Sequence, residues 1–328
     1  MAFIPSYIKL LESGELKKRA ESAYEKMRKC TVCPKECGVD RTNYEYGFCL
    51  SGHLPIVSSY TPHFGEEPVL SGTSGAGNIF FGNCNLRCIY CQNYQISQNW
   101  EAEKFNETSY EKLAEIMLEL QERGCHNIGL VSPTHFAGSI LKSIYIAAQK
   151  GLRLPIIYNS NGYDSVETLK LYEGVVDIYL PDFKYGSSEY GKLYSNAKDY
   201  FEIAGNAIKE MHRQVGSELV FEGNTVARGL IIRHLVLPND LSETERVFKF
   251  ISEELDNEVH ISLMSQYYPA HKAIKEPLLS RTLRPIEYYK AIELMEKYGL
   301  KNGWIQDLES YNYYRPDFEY DRKNPFGN

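Results

Sequence analysis

Six short apolar runs that alternate with amphipathic segments constrain the fold of this chain more than any other feature. The runs occupy residues 78–81, 127–131, 154–158, 175–180, 230–237 and 259–263. Apolar residues at helical spacing occupy 110–123, 137–150, 165–173, 188–214, 241–255 and 284–298. Short strands that alternate with helices indicate βαβ units and a parallel sheet. Because such crossovers are right-handed, we predict an α/β fold with a partial (β/α)6 TIM-like barrel.

The segments on either side of this alternation have a different character. Residues 1–29 have the spacing of amphipathic helices, whereas residues 30–72 are rich in Cys, Gly, Pro and Tyr and show little periodicity. We therefore predict an N-terminal helix and a loop-built, cysteine-rich module at 1–72, and the barrel at 73–270. A C-terminal helix with a Tyr-rich extension is predicted at 271–328.

Charge and hydropathy narrow the functional classes. The 328 residues carry a formal net charge of −7, which disfavours a nucleic-acid-binding surface. No run of about 18 apolar residues is present, and the first residues turn polar too early for a secretory signal. We expect a cytoplasmic protein with no membrane or nucleic-acid partner. Its eight cysteines should then be mostly reduced thiols.

Three of these cysteines lie within eight residues. Residues 82–94 read GNCNLRCIYCQNY, which contains Cys84, Cys88 and Cys91. Thiolates are soft ligands that select zinc, copper(I) or iron–sulfur clusters. A closed cluster takes a fourth cysteine, and none lies nearby, so three thiolates leave one iron open, as in reactive metal sites. A structural zinc site is the alternative.

A second group contains Cys30, Cys33, Cys37 and Cys49. Four thiols within twenty residues satisfy a closed site, either tetrahedral zinc or a second iron–sulfur cluster. Because this segment has few large apolar residues, a bound metal would supply folding energy. Empty thiols in a module that packs on the barrel are the alternative.

Polar residues follow the predicted strands, at the edge of the barrel where active sites lie. Gln92 and Asn93 follow the cysteine triad, and Asn159 and Asn161 follow the third strand. Arg233 and His234 are consecutive within the fifth strand, so at most one of them faces inward. We take Gln92, Asn93, Asn159, Asn161 and His234 as candidate cofactor contacts.

Longer motifs point to a known family. Residues 63–97 read HFGEEPVLSGTSGAGNIFFGNCNLRCIYCQNYQIS, and CTVCPKECGVDR, SPTHF, YNSNGY and DIYLPDFKYG stand elsewhere. These stretches resemble the radical SAM superfamily. Within it, they resemble proteins related to the pyruvate formate-lyase activating enzyme that carry an N-terminal cysteine module. The resemblance spans about residues 30–318.

The resemblance implies a 4Fe–4S cluster on Cys84, Cys88 and Cys91 whose open iron binds S-adenosylmethionine. One electron would cleave this molecule to a 5′-deoxyadenosyl radical that abstracts a hydrogen atom. Tyr90 matches the family position near the adenine, and Asp182 and Lys184 match an Asp-x-Lys pair that helps to bind S-adenosylmethionine.

Ser132, Thr134 and His135 stand where many members have a Gly-Gly-Glu turn for the methionine amino group, and we expect Thr134 and His135 to take that role. The implied partners are a reductant such as flavodoxin or ferredoxin and, by analogy, a protein or peptide substrate with a reactive glycyl residue. An iron–sulfur electron-transfer protein and a zinc-binding interaction module are the alternatives.

Overall fold

The computed structural model describes residues 3–327, and a nine-stranded sheet lies at the centre of this part of the chain. The strands are β1 (Val57–His63), β2 (Ala76–Phe81), β3 (Ile128–Val131), β4 (Ile156–Ser160), β5 (Ile178–Pro181), β6 (Val220–Glu222), β7 (Thr225–Leu235), β8 (His260–Met264) and β9 (Gly303–Ile305). Their order is β1-β2-β3-β4-β5-β7-β8-β9, and β6 pairs with β7. All pairs from β2 to β9 along this path are parallel.

Helices connect these strands. They are α1 (Tyr7–Glu12), α2 (Glu15–Glu25), α3 (Pro68–Ser71), α4 (Tyr94–Ser97), α5 (Trp100–Glu103), α6 (Tyr110–Glu122), α7 (Ala137–Gln149), α8 (Val166–Leu169), α9 (Ser188–Ser195), α10 (Tyr200–Val215), α11 (Thr244–Glu254) and α12 (Pro285–Lys297). The helix predicted at 188–214 is two helices, α9 and α10. Asn196 and Asp199 between them have φ of 55° and 52°, a left-handed conformation that a continuous helix excludes.

The predicted α/β partial barrel is confirmed. The six predicted strands correspond to β2, β3, β4, β5, β7 and β8, all parallel. Every position of β2 is buried, because helices cover one face of the sheet and the barrel interior lies on the other. The short β9 adds a parallel strand that the sequence did not indicate. Within residues 3–327, β1 and β9 do not pair, so the barrel stays open.

We predicted that the segment at residues 30–72 is built from loops, and this prediction is wrong in part. Residues Val57–His63 form β1, which pairs antiparallel with β2 from the barrel. The N-terminal helices also pack on the barrel, with α2 against α7. One core extends from Tyr7 to Leu300, so the three predicted segments share their packing. Met1, Ala2 and Asn328, at the outer ends of those segments, lie outside the described residues.

No helix within 3–327 combines the length and apolar character needed to cross a bilayer.

Candidate functional site

A cavity of about 280 Å³ opens at the carboxyl ends of the parallel strands. The loop after β2 brings the cysteine triad to its wall, and residues after β4 and β5 line the same space. Of the predicted site residues, those that line it are Cys84, Cys88, Tyr90, Cys91, Gln92, Asn93, Asn159, Asn161, Asp182 and Lys184. Residues about 100 positions apart in the sequence thus meet at one edge of the sheet, as expected for this architecture.

Each thiol of the triad has a hydrogen-bonding neighbour. The contacts are Leu86 N–H to Cys84 Sγ at 3.4 Å, Asn161 Nδ2 to Cys84 Sγ at 3.5 Å, Ser195 Oγ to Cys88 Sγ at 3.0 Å and Ser97 Oγ with Cys91 Sγ at 3.2 Å. Hydrogen bonds to sulfur stabilise the negative charge of a thiolate and tune the reduction potential of a cluster. The surroundings of the triad therefore suit metal-bound sulfur.

The protonation state of the triad depends on whether a metal is bound. Burial raises the pKa of Cys84 to about 12 and that of Cys91 to about 11, and it also raises the pKa of Cys88. Without a metal the three groups are neutral thiols at neutral pH, and metal binding releases their protons.

The donor set bears on which metal group would fit. Structural zinc takes four protein ligands, whereas three thiolates can bind three separate irons of a cubane and leave the fourth iron open. The three thiols around one cavity therefore suit a cluster better than a structural zinc ion.

Two other segments hold the cysteine loop in place. Asn85 donates from Nδ2 to the carbonyl oxygen of Tyr163 at 2.8 Å, and Asn161 donates to Asn85 Oδ1 at 2.8 Å. On the far side, the backbone N–H of Arg87 donates to the Ser195 carbonyl at 3.1 Å. Asn161 therefore supports the loop as well as contacting Cys84, a role that its place at a strand end did not reveal.

Tyr90 places its ring at the cavity and its hydroxyl in a buried chain. The hydroxyl lies 2.6 Å from Tyr185 Oη, which lies 2.6 Å from Ser195 Oγ, the donor to Cys88. The polar atom is thus satisfied, and the ring, which packs against Tyr185 and Tyr267, forms part of the cavity wall. Gln92 is anchored through its Nε2, which donates to the Gln266 carbonyl at 2.9 Å.

Asp182 and Lys184 form an ion pair at the cavity wall. Burial alone would lower the pKa of Lys184, but Asp182 and Cys88 outweigh this effect and raise it. The ammonium therefore stays charged beside the cysteine triad. Such a cation can receive the carboxylate of a ligand.

Three predicted cofactor residues do not line the cavity. Thr134 donates to Asp164 Oδ1 at 2.7 Å, and His135 Nε2 lies 2.9 Å from the Gly82 carbonyl oxygen. His234 contacts the Phe183 carbonyl oxygen and Thr244 Oγ1 through its two ring nitrogens, at 2.7 and 2.9 Å. All three are buried behind the wall, so the geometry does not favour the ligand contacts we expected of them.

Arg233 and His234 are consecutive in β7, and Arg233 is the one that faces the cavity. It donates to both oxygens of Glu67, at 2.8 and 2.6 Å, and also to Glu66. Glu66 accepts a further hydrogen bond of 2.6 Å from Asn78. The sequence places Glu66 and Glu67 in a loop, where a solvated carboxylate is as common as one that binds a metal or a substrate. Only their contact with a strand 166 residues away makes them part of the site.

The N-terminal cysteines form a separate group. Cys30, Cys33 and Cys49 are buried and Cys37 is half-buried, and all four are free thiols. They do not line the cavity, but the segment that follows them contacts the triad loop, where Asn83 Nδ2 donates to the Leu50 carbonyl at 3.1 Å.

This chain is similar to one superfamily model and to two proteins of Methanocaldococcus jannaschii. Residues 78–227 match the sequence model of the radical SAM superfamily. An uncharacterized protein of Methanocaldococcus jannaschii, MJ0674, is 37% identical over 293 residues, which are 86% of this chain and 78% of that protein. A second uncharacterized protein of this organism, MJ0808, is 24% identical over 313 residues, 88% of this chain and 85% of its own.

Two solved structures are also similar. TYW1 with a lysine-pyruvate adduct bound has a TM-score of 0.42 at 16% identity, covering 67% of this chain and 73% of its own. Methylornithine synthase (PylB) has a TM-score of 0.44 at 15% identity, covering 95% of this chain and 78% of its own.

Proposed function

Because this chain belongs to the radical SAM superfamily, we propose that Cys84, Cys88 and Cys91 hold a 4Fe–4S cluster and that the cavity binds S-adenosylmethionine. The observation that carries the proposal is the convergence of three thiols without a fourth on one cavity, together with a buried ion pair. When bound, the cluster supplies one electron to S-adenosylmethionine and a 5′-deoxyadenosyl radical results. The chain's own residues bind and orient S-adenosylmethionine and exclude water from the cavity.

The wall between β4 and β5 is suited to the polar groups of S-adenosylmethionine. Lys184 supplies a charge for a carboxylate, and Asn159 supplies an amide at the same edge. Ser132 lines the cavity with φ of 59°. We therefore assign to Ser132, rather than to Thr134 or His135, the contact with the methionine portion.

The adjoining wall, beside β7, carries two carboxylates. Glu66 and Glu67 share the single cation of Arg233. Burial by itself would raise the pKa of Glu66, but Arg233 and His63 outweigh it and lower this pKa to about 2. Glu66 is thus charged, and the pair of carboxylates around one guanidinium makes an acidic wall that complements the cationic sulfonium of S-adenosylmethionine.

For the substrate we propose a protein or peptide glycyl residue, as in activating enzymes of glycyl radical proteins. Support comes from the resemblance of residues 63–97 and is analogy in kind. A flavodoxin or ferredoxin would deliver the electron, and a cytoplasmic location would keep the thiols reduced. The four N-terminal cysteines would hold a second metal group, either zinc or a further cluster.

Anaerobic turnover tests the proposal. The protein is reconstituted with iron and sulfide, reduced with dithionite, and assayed for 5′-deoxyadenosine after addition of S-adenosylmethionine. We expect product from the wild type and none from Cys84→Ala. Cys125→Ala is the matched control, since Cys125 is buried outside both cysteine groups, and it should retain activity. A loaded cluster without product would favour an electron-transfer protein, and a lone zinc ion would favour a binding module.

The glycyl assignment needs its own measurement. Candidate partner proteins deuterated at glycine are mixed with the reduced enzyme, and the deuterium content of 5′-deoxyadenosine is determined. Transfer from one partner supports the assignment. Transfer from a small metabolite instead would contradict it without affecting the cluster proposal.

A further inference from the structure

The four N-terminal cysteines form a group outside the cavity. The residues Cys30, Cys33 and Cys49 are exposed by only 5, 6 and 8%. The N–H of Phe48, the residue before Cys49, donates to Cys37 Sγ at 3.3 Å. The chain segment that carries Cys49 therefore lies against the loop that carries Cys37.

Backbone contacts bring the four residues together. The N–H of Cys30 donates to the Val39 carbonyl at 2.9 Å, and the N–H of Gly38 donates to the Cys30 carbonyl at 3.1 Å, which closes the loop that contains Cys33 and Cys37. A Cβ at Gly47 would lie 2.8 Å from Cys37 Sγ. Glycine there lets the segment that leads to Cys49 approach Cys37 closely.

A buried cation lies beside this group. Arg41 is 1% exposed, and its guanidinium donates to the carbonyl oxygens of Ser51, Gly52 and His135 at 2.6–3.2 Å. Within residues 3–327, no carboxylate is among its hydrogen-bond acceptors. The nearest group that could carry a counter-charge is a thiol, since Arg41 Nη1 lies 4.0 Å from Cys30 Sγ.

A buried charge is costly unless a counter-charge lies nearby. Neutral thiols cannot supply one, whereas four thiolates around a metal group carry net negative charge. A second cation, Lys35, lies between Cys33 and Cys37 in the sequence, and its Nζ lies 4.0 Å from the centre of the Phe48 ring, beside Cys49. Both cations are explained if the group holds metal-bound thiolates.

We propose that Cys30, Cys33, Cys37 and Cys49 hold a second iron–sulfur cluster, closed by four thiolates, with Arg41 as its buried counter-charge. Four cysteines are the ligand set of such clusters. The N–H of Phe48 donates to Cys37 Sγ at 3.3 Å, a hydrogen bond that stabilises metal-bound sulfur.

The position of the four thiols favours a cluster over zinc. Zinc has no redox chemistry, whereas an iron–sulfur cluster can pass an electron. Residues beside Cys49 contact the loop of the triad, where the proposed function requires an electron.

The second cluster would lie beside the first. Phe48 and Leu50, the two neighbours of Cys49, accept hydrogen bonds through their carbonyl oxygens from Arg87 and Asn83, at 2.8 and 3.1 Å. Arg87 and Asn83 in turn adjoin Cys88 and Cys84. Two short paths therefore join the ligands of the two sites.

Metal analysis of a variant without the triad tests the proposal. Cys84→Ala/Cys88→Ala/Cys91→Ala leaves the N-terminal group intact, so the result does not depend on how well that group tolerates substitution. After anaerobic purification with iron and zinc both present, we expect iron and acid-labile sulfide in about equal amounts and a paramagnetic signal after dithionite reduction. Zinc without sulfide, or loss of all iron, would overturn the proposal.

The reciprocal variant separates this proposal from that of S-adenosylmethionine cleavage. Cys33→Ala/Cys49→Ala should lose the second cluster while the triad retains its own iron. In the reduced wild type, the two paramagnetic clusters should broaden each other's signals, and each variant should abolish the broadening. Unbroadened signals from a doubly loaded protein would contradict their proximity.

The role of Arg41 is tested by a reduction potential. In the triad-free background, Arg41→Met should lower the midpoint potential of the remaining cluster, because loss of a nearby cation disfavours the added electron. Arg41→Lys should bring it back towards the wild-type value. Lys35→Met, at a half-buried position, should also lower the midpoint potential. This variant replaces Arg41→Met in the test if Arg41→Met does not fold. Unchanged potentials in these variants would remove the counter-charge from the proposal.

Discussion

Replacement of Arg233 by methionine would expose how the cavity wall is stabilised. The guanidinium is 14% exposed, and the side chains of Glu66 and Glu67 are 9 and 6% exposed. Arg233 is bonded to both carboxylates, with two contacts of 2.8 and 2.6 Å to Glu67. Arg233→Met keeps a long unbranched side chain but leaves two carboxylates buried without a cation.

The size of the effect follows from the same contacts. Burial raises the pKa of Glu66, yet Arg233 and His63 together lower it to about 2 from its usual 4.5. At 1.36 kcal/mol per pKa unit, this shift stabilises the folded state by about 3 kcal/mol. Removal of one partner from a buried pair costs about 3–5 kcal/mol in general. We therefore expect Arg233→Met to lower the free energy of unfolding by about 3–5 kcal/mol at neutral pH.

The pH dependence gives the sharper test. In the wild type, the lowered pKa of Glu66 contributes stability above the unfolded value, and this contribution is lost as the pH falls towards 2. In Arg233→Met, burial without a cation raises the carboxylate pKa values. The variant should then lose stability as the pH rises from about 5 to about 7, as the carboxylates ionise.

Urea unfolding followed by circular dichroism at several pH values measures this. The control is Arg233→Met/Glu66→Gln/Glu67→Gln, which removes the unpaired charges and should recover much of the loss and all of the new pH dependence. If Arg233→Met were equally destabilised throughout this pH range, the account of the wall as an electrostatic unit would be refuted.

Three further predictions concern other parts of the molecule. Burial raises the pKa of Asp177 to about 6, so the wild type should lose about 3 kcal/mol of stability between about pH 4 and pH 6, and Asp177→Asn should remove this dependence in urea titrations. A Cβ at Gly162, which has φ of +77°, would lie 2.2 Å from a backbone oxygen, so Gly162→Ala should lower the unfolding free energy by more than about 1 kcal/mol. The control Gly124→Ala, at φ of +83° with open space around the Cβ, should lower it by less. Equal losses in the two variants would refute the clash at Gly162. Lys184→Met should weaken binding of S-adenosylmethionine at least about tenfold by calorimetry, whereas the exposed control Lys198→Met should not, and an unchanged affinity would remove Lys184 from the site.

Much of the fold could be predicted from the sequence, because buried parallel strands are continuous apolar runs and the helices between them have apolar residues at helical spacing. All six predicted strands are present and parallel. The cysteine triad was equally clear, since its three ligands lie in one loop and need no distant residue to be recognised. β9 was missed because three residues are too few to show a period, and β1 because its neighbourhood is rich in Cys, Gly and Pro.

The details of the site depended on tertiary structure. Adjacent residues of a strand face opposite sides, and the packing of α11 over β7 turned His234 towards Thr244 and left Arg233 to the cavity. Similarly, Thr134 donates a hydrogen bond to Asp164, and its side chain lies behind the cavity wall. The sequence by itself determined the order of elements and the ligands that are close in the chain. The direction of each side chain and the partners of Arg233 and Arg41 were decided only by folding, because those contacts join segments far apart in the sequence.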